Sequence, residues 1–106
     1  MVARGIRKEI NLFRKILAKR DVPVEKLILF GSHAKKLARP GSDIDLCVVC
    51  TTRKVRDPKD LQSHLNCDAG LAGLNMDIIV ATAKDFRTDM VSPILHEIRT
   101  HGVEIT

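Results

Sequence analysis

Tryptophan and tyrosine are absent from the chain, and only three phenylalanines occur among its 106 residues. Single-stranded nucleic acids are commonly held on aromatic platforms that stack with the bases, so direct nucleic-acid binding is not expected. Cysteine is scarce as well. Cys47, Cys50 and Cys67 are an odd count, which argues against a disulfide framework and for reduced thiols. The Cys47–Cys50 spacing invites a metal or redox reading, but residues three apart on a strand point to opposite faces, and buried small hydrophobes account for them better. No apolar run approaches the roughly 18 residues that span a bilayer and no signal-peptide core is visible, so the expectation is a cytoplasmic protein without membrane association. Acidic residues are nearly missing from the first twenty positions, where Glu9 stands alone against Arg4, Arg7, Lys8, Arg14, Lys15, Lys19 and Arg20. Such a run either favours an anionic partner or simply solvates a helix face.

What is present is an ordinary globular balance, 44% hydrophobic and 29% charged, at a length that fits one domain over residues 1–106. Ile6, Ile10, Phe13 and Leu17 recur at helical steps and predict an amphipathic helix from about residue 4 to 20, closed by Pro23. Leu27 to Phe30 reads as a first strand, with a short helix around His33 to Leu37. A second strand runs from Asp43 to Cys50, with Ile44, Leu46 and Val48 on the core face and the acids on the opposite one. Asp57-Pro58 predicts a capped helix toward Ala69, with Leu61, Leu65 and Ala69 as its stripe and Gly70 and Gly73 turning the chain back. Met76 to Ala81 is a third strand, and Thr82 with Asp85 caps one helical turn. Ser92-Pro93 opens a last helix from Ile94 to about Thr100, and Val103 to Ile105 adds a short edge strand. The expected class is α/β (α+β), a mixed sheet of three to four strands flanked by helices.

The chemistry concentrates between Phe30 and Val49. Gly31 and Ser32 follow an apolar strand, so the backbone turns sharply there and offers N–H groups and a hydroxyl to a phosphate. Ten residues later come Asp43 and Asp45, two apart, so both carboxylates share a strand face and can close around one or two divalent cations. His33, His64, His96 and His101 have no metal-ligand spacing, and His33 reads as a surface histidine despite its place beside Ser32.

This Gly-Ser, ten residues, Asp-x-Asp segment resembles the minimal nucleotidyltransferase (MNT) domains of the DNA polymerase beta superfamily, in particular the MNT antitoxins that pair with HEPN-domain toxins. The resemblance spans nearly the whole chain. It implies a third acid, matched by Asp77 in Asn75-Met76-Asp77-Ile78-Ile79-Val80, and makes Asp43, Asp45 and Asp77 the catalytic, magnesium-holding set. By the same resemblance Gly31 and Ser32 hold the triphosphate, Arg39 matches a basic residue common in the family, and Ser42 matches the serine that precedes the first aspartate. Residue by residue, Ser42 also reads as a turn residue, and Lys35 and Lys36 as a solvated face. The family often has glycine where Lys36 stands, so the turn after the phosphate loop is expected to be helical instead of glycine-bent.

The implied activity is transfer of a nucleoside monophosphate, with ATP as the donor and Mg2+ as the cofactor, to a hydroxyl on a HEPN-type partner. Self-association is left open. The alternative is a nucleotidyltransferase-fold module without turnover that only binds and inhibits a partner, a reading for which Lys36 is the supporting feature.

Overall fold

The computed structural model describes residues 4–105, so positions 1–3 and 106 of the expected 1–106 span lie outside the described residues. Helix α1 (Arg4–Lys19) leads to strand β1 (Val24–Phe30), one helical turn α2 (Gly31–Ala34), strand β2 (Ile44–Cys50) and helix α3 (Pro58–Leu71). A 3-10 turn (Thr52–Lys54) lies between β2 and α3, and strand β3 (Met76–Thr82), helices α4 (Ala83–Thr88) and α5 (Pro93–His101) and strand β4 (Val103–Ile105) complete the order. The four strands form one mixed sheet in the order β3-β2-β1-β4. β1 is antiparallel to both β2 and β4, and β2 is parallel to β3. The C-terminal end of β1 therefore meets the N-terminal ends of β2 and β3, and every acid singled out above lies at that end.

Local chemistry places the helices as expected. Asp57 accepts a hydrogen bond from the Asp60 N–H at 3.1 Å, Thr82 from Asp85 at 3.2 Å and Ser92 from Leu95 at 3.3 Å, each satisfying a donor that a helix start leaves unpaired. Proline follows directly in α3 and α5. At the far end of α3, Gly73 takes a left-handed φ of 76° and the Leu74 N–H returns to the Ala69 carbonyl.

Both sheet faces are covered. Ile10, Phe13 and Leu17 of α1 and Leu65 and Ala69 of α3 pack on Leu29, Leu46, Val48 and Ile78. On the other side α4 and α5 bring Ala83, Leu95 and Ile98 against Ile28, Phe30, Cys47 and Val49. This corrects the expectation of one core face and one acid-bearing face. Asp45 is the only residue of β2 that is not fully buried, because the acid face is itself a second core for most of its length. Cys47 and Cys50 fall on opposite faces as anticipated, and burial pushes their thiols up to about 12 and about 11.

Other boundaries shift. β1 starts three residues earlier than its apolar run, since its exposed first half is held by pairing with β2 and not by burial. β2 starts at Ile44, which leaves Asp43 outside the strand. The turn around residues 33–37 also differs. α2 ends at Ala34, and Lys36 adopts φ 60°, so the chain bends there as a glycine would bend it and does not continue as a helix.

Candidate active site

Phe30, Asp45 and Asp77 are register partners across three strands: Phe30 faces Asp45 in the antiparallel pair and Asp45 faces Asp77 in the parallel pair. Direct partners project to the same face, with backbones about 4.8 Å apart, so the two carboxylates stand side by side. Asp45 is half-buried beside the second core, whereas Asp77 and Asp43 are exposed. The Asp45 carboxyl is accordingly raised above the usual carboxylate range, first by burial, then by the charge of Asp77 and that of Asp43, with His33 opposing. None of the three acids makes an ion pair with a described residue.

The opposite wall is the turn after β1. Gly31 has φ 70°, and a Cβ built on it would stand 3.0 Å from the Asp45 Cγ and closer still to Oδ2, so the backbone touches the carboxylate at a place where no side chain fits. Phe30 supplies no side-chain cap to α2, whose first residues are Gly31 and Ser32. Lys35 is engaged elsewhere, its ammonium 2.5 Å from Glu97 on α5. Arg39 is exposed on the loop before Asp43. Ser42 serves as a turn residue, its hydroxyl accepting from the Arg39 N–H at 2.9 Å while its own N–H donates to the Arg39 carbonyl at 2.9 Å. An open cleft of about 500 Å³ runs beside this loop, lined by Ile6, Glu9, His33, Arg39, Ser42 and Asn75 among others. Comparable concavities at Arg20/Asp68 and Arg14/Glu25 lie away from the three acids.

Two polar residues beside the acids were not legible as site residues. The His33 ring meets the Ser42 carbonyl at 3.2 Å, and the Asn75 amide donates to the Gly41 carbonyl at 3.2 Å. The first contact spans nine residues and the second 34, and the only local hint was adjacency, to Ser32 in one case and to the strand carrying Asp77 in the other.

Among the described residues no three His, Cys, Asp or Glu side chains already form a group that could hold a metal ion. The donor chemistry nevertheless fits a hard divalent cation. Magnesium is usually bound through one or two carboxylates, with water and substrate phosphates filling the shell, and Asp45 with Asp77 and Asp43 offers carboxylate oxygens without an ion-pair partner beside the uncapped start of α2. Such an arrangement suits a reaction at a phosphate group. The family model described as nucleotidyltransferase domain matches residues 10–101, and the chain belongs to that family.

No curated protein matches the chain. Solved structures share its fold, three of them as follows. A proposed nucleotidyltransferase of Sulfolobus solfataricus superposes with a TM-score of 0.62 at 21% identity, covering 92% of this chain and 76% of that one. A toxin–antitoxin crystallised with AMP-PNP gives 0.61 at 21% identity, over 89% of this chain and 69% of the other. A mutant of the toxin–antitoxin MntA–HpeT gives 0.58 at 19% identity, over 89% and 69%.

Proposed function

We propose that the chain, as a single minimal domain, is a magnesium-dependent nucleotidyltransferase that moves AMP from ATP onto a hydroxyl of a HEPN-type toxin and so acts as a cytoplasmic antitoxin. The observation that carries this reading is the placement of Asp45 beside Asp77, with the Gly31 backbone closed against Asp45. The shared fold with toxin–antitoxin chains, one of them crystallised with the ATP analogue AMP-PNP, supports the donor and the partner.

In the reaction the acceptor oxygen attacks the α-phosphorus of ATP, the bond to the bridging oxygen breaks, and pyrophosphate leaves. Asp43, Asp45 and Asp77 would hold the metal, which when bound would neutralise phosphate charge and make the acceptor hydroxyl more acidic. The N–H groups at Gly31 and Ser32 bind the triphosphate, and Arg39 offsets its remaining charge. Asp77, on the open side of the site, takes the proton of the hydroxyl. Its exposure lets a hydroxyl on a folded partner reach it.

Lys36 no longer favours the inhibitory module without turnover, because its φ of 60° preserves the bend that glycine would give. The test uses α-labelled ATP, magnesium and the product of the neighbouring gene. Label on that protein with release of pyrophosphate is the expected result. A stable inhibitory complex without label transfer would overturn the enzyme reading in favour of the binding module.

A further inference from the structure

Asp43 is the one acid of the three that the sheet does not hold. β2 begins at Ile44, so no ladder hydrogen bond sets the backbone at Asp43, and its position follows from the loop 39–42 that precedes it. That loop is gripped from two sides. From the phosphate turn, the His33 ring Nε2 lies 3.2 Å from the Ser42 carbonyl. From the start of β3, the Asn75 amide donates to the Gly41 carbonyl at 3.2 Å while the Asn75 carbonyl accepts the Ile44 N–H at 3.0 Å. Within the loop, the reciprocal Arg39–Ser42 bonds at 2.9 Å make it a closed turn that moves as one piece.

We propose that His33 and Asn75 are positioning residues that clamp the 39–42 turn and thereby aim Asp43 at the cation site. This rests on the reading of Asp43 as a metal ligand. A carbonyl oxygen can only accept, so the proton of the His33 ring sits on Nε2, and the imidazole acts as a fixed donor. His33 is one residue from Ser32 and Asn75 is two from Asp77. Each clamp therefore ties the Asp43 loop to a segment that carries another part of the same site, so the phosphate turn, Asp43 and Asp77 hold their relative places together. Groups that orient metal ligands in this way influence ion affinity by about 10–100-fold when removed.

The experiment measures Mn2+ affinity by electron paramagnetic resonance, with AMP-PNP present, for the unmodified protein and for Asp43→Asn, His33→Ala, His33→Gln and Asn75→Ala. Nitrogen chemical shifts of the His33 ring report the tautomer independently of any metal. The expected result is a loss of about tenfold or more in Mn2+ affinity for His33→Ala and Asn75→Ala, with recovery in His33→Gln, whose amide places a donor near the Nε2 position. The ring is expected to carry its proton on Nε2. Unchanged Mn2+ affinity in His33→Ala and Asn75→Ala, with Asp43→Asn still impaired, overturns the clamp and leaves the site reading intact. Mn2+ affinity indifferent to Asp43→Asn overturns the site reading itself and the clamp with it. A ring protonated on Nδ1 alone also overturns the clamp. Because His33→Gln keeps the donor, an Ala variant too unstable to assay leaves the Gln variant and the ring spectrum to decide: weakened Mn2+ binding in a folded Gln variant counts against the clamp.

Discussion

The Gly31 backbone lies against the Asp45 carboxylate so closely that a single methyl group at residue 31 would occupy the space of Oδ2. The turn proposed to offer N–H groups to a phosphate and the strand proposed to offer an acid to a cation are thus in van der Waals contact.

Gly31→Ala consequently has two effects. The left-handed φ of 70° destabilises an alanine by about 1–2 kcal/mol, and the new methyl pushes Asp45 from its place beside Asp77. Gly73→Ala is the control, since Gly73 has φ 76° but open space around its Cβ direction. Gly31→Ala should lose at least as much stability as Gly73→Ala in urea titrations, while magnesium-dependent ATP binding by calorimetry disappears only in Gly31→Ala.

Asp45→Asn should stabilise the protein in the absence of metal. Burial, then Asp77, then Asp43 raise the Asp45 carboxyl, so the folded state holds its proton more tightly than the unfolded chain does. The contribution of Asp45 to stability is fully present below the unfolded carboxylate value, about pH 4, and is lost as pH rises through the raised folded value. At pH 7 removal of the like charge opposite Asp77 is worth about 0.5 kcal/mol. Thermal melts at pH 7 should therefore place the variant above the unmodified protein, with the gap closing as the pH falls through the raised folded value toward about 4. Magnesium with ATP should reverse the order at pH 7, since the variant has lost a ligand.

Lys36→Gly tests whether the bend after the phosphate turn is strained. A non-glycine residue at φ 60° loses about 1–2 kcal/mol to its Cβ, and glycine returns about half of that through the entropy of the unfolded chain. The expected gain is about 0.5–1 kcal/mol in urea titrations, with ATP binding unchanged. A loss of stability would mean that the Lys36 side chain contributes through contacts that outweigh its backbone strain.

Elements governed by neighbours in sequence were legible before the structure. Asp57-Pro58, Thr82 with Asp85, and Ser92-Pro93 each marked a helix start because a capping oxygen reaches only three residues, and the stripe of Ile10, Phe13 and Leu17 marked α1 because helical spacing puts those side chains on one face. The closeness of Asp43, Asp45 and Asp77 at one end of the sheet was legible through spacing and resemblance. What pairing across the sheet decides was not. The exposed start of β1, the second core over the acid face and the His33 and Asn75 contacts all join residues beyond the reach of a local pattern.

Asn66 belongs to that second group. β3 is an edge strand, and α3 covers its open side with amides: Asn66 accepts from the Ile78 N–H and donates to the Ile78 carbonyl, both at 2.9 Å, and Gln62 accepts from the Val80 N–H at 2.9 Å. The side chain of Asn66 completes the ladder in place of a fifth strand. Asn66→Ala leaves both Ile78 groups without these partners and should cost about 1–3 kcal/mol in urea titrations. An uncovered edge also invites pairing with other chains, so concentration-dependent light scattering should rise in this variant and remain flat in an exposed control such as Asp60→Asn.

Asp77→Asn separates binding from chemistry at the proposed site. Asp45 is half-buried against the Gly31 turn, whereas Asp77 is exposed on the outer strand, farther from the N–H groups proposed to hold the triphosphate. If Asp77 acts on the acceptor side, its amide variant keeps most of its magnesium-dependent ATP affinity through Asp43 and Asp45, because magnesium needs only one or two protein carboxylates once phosphates fill the shell. Transfer of label from α-labelled ATP to the product of the neighbouring gene should nevertheless fall by at least about 100-fold, the low end of what a positioned proton acceptor contributes. Calorimetry and single-turnover labelling on the same preparation decide it. Equal transfer by the unmodified and variant proteins would remove Asp77 from the mechanism. Loss of ATP binding in parallel with transfer would instead move Asp77 from the acceptor side to the group of residues that hold the nucleotide.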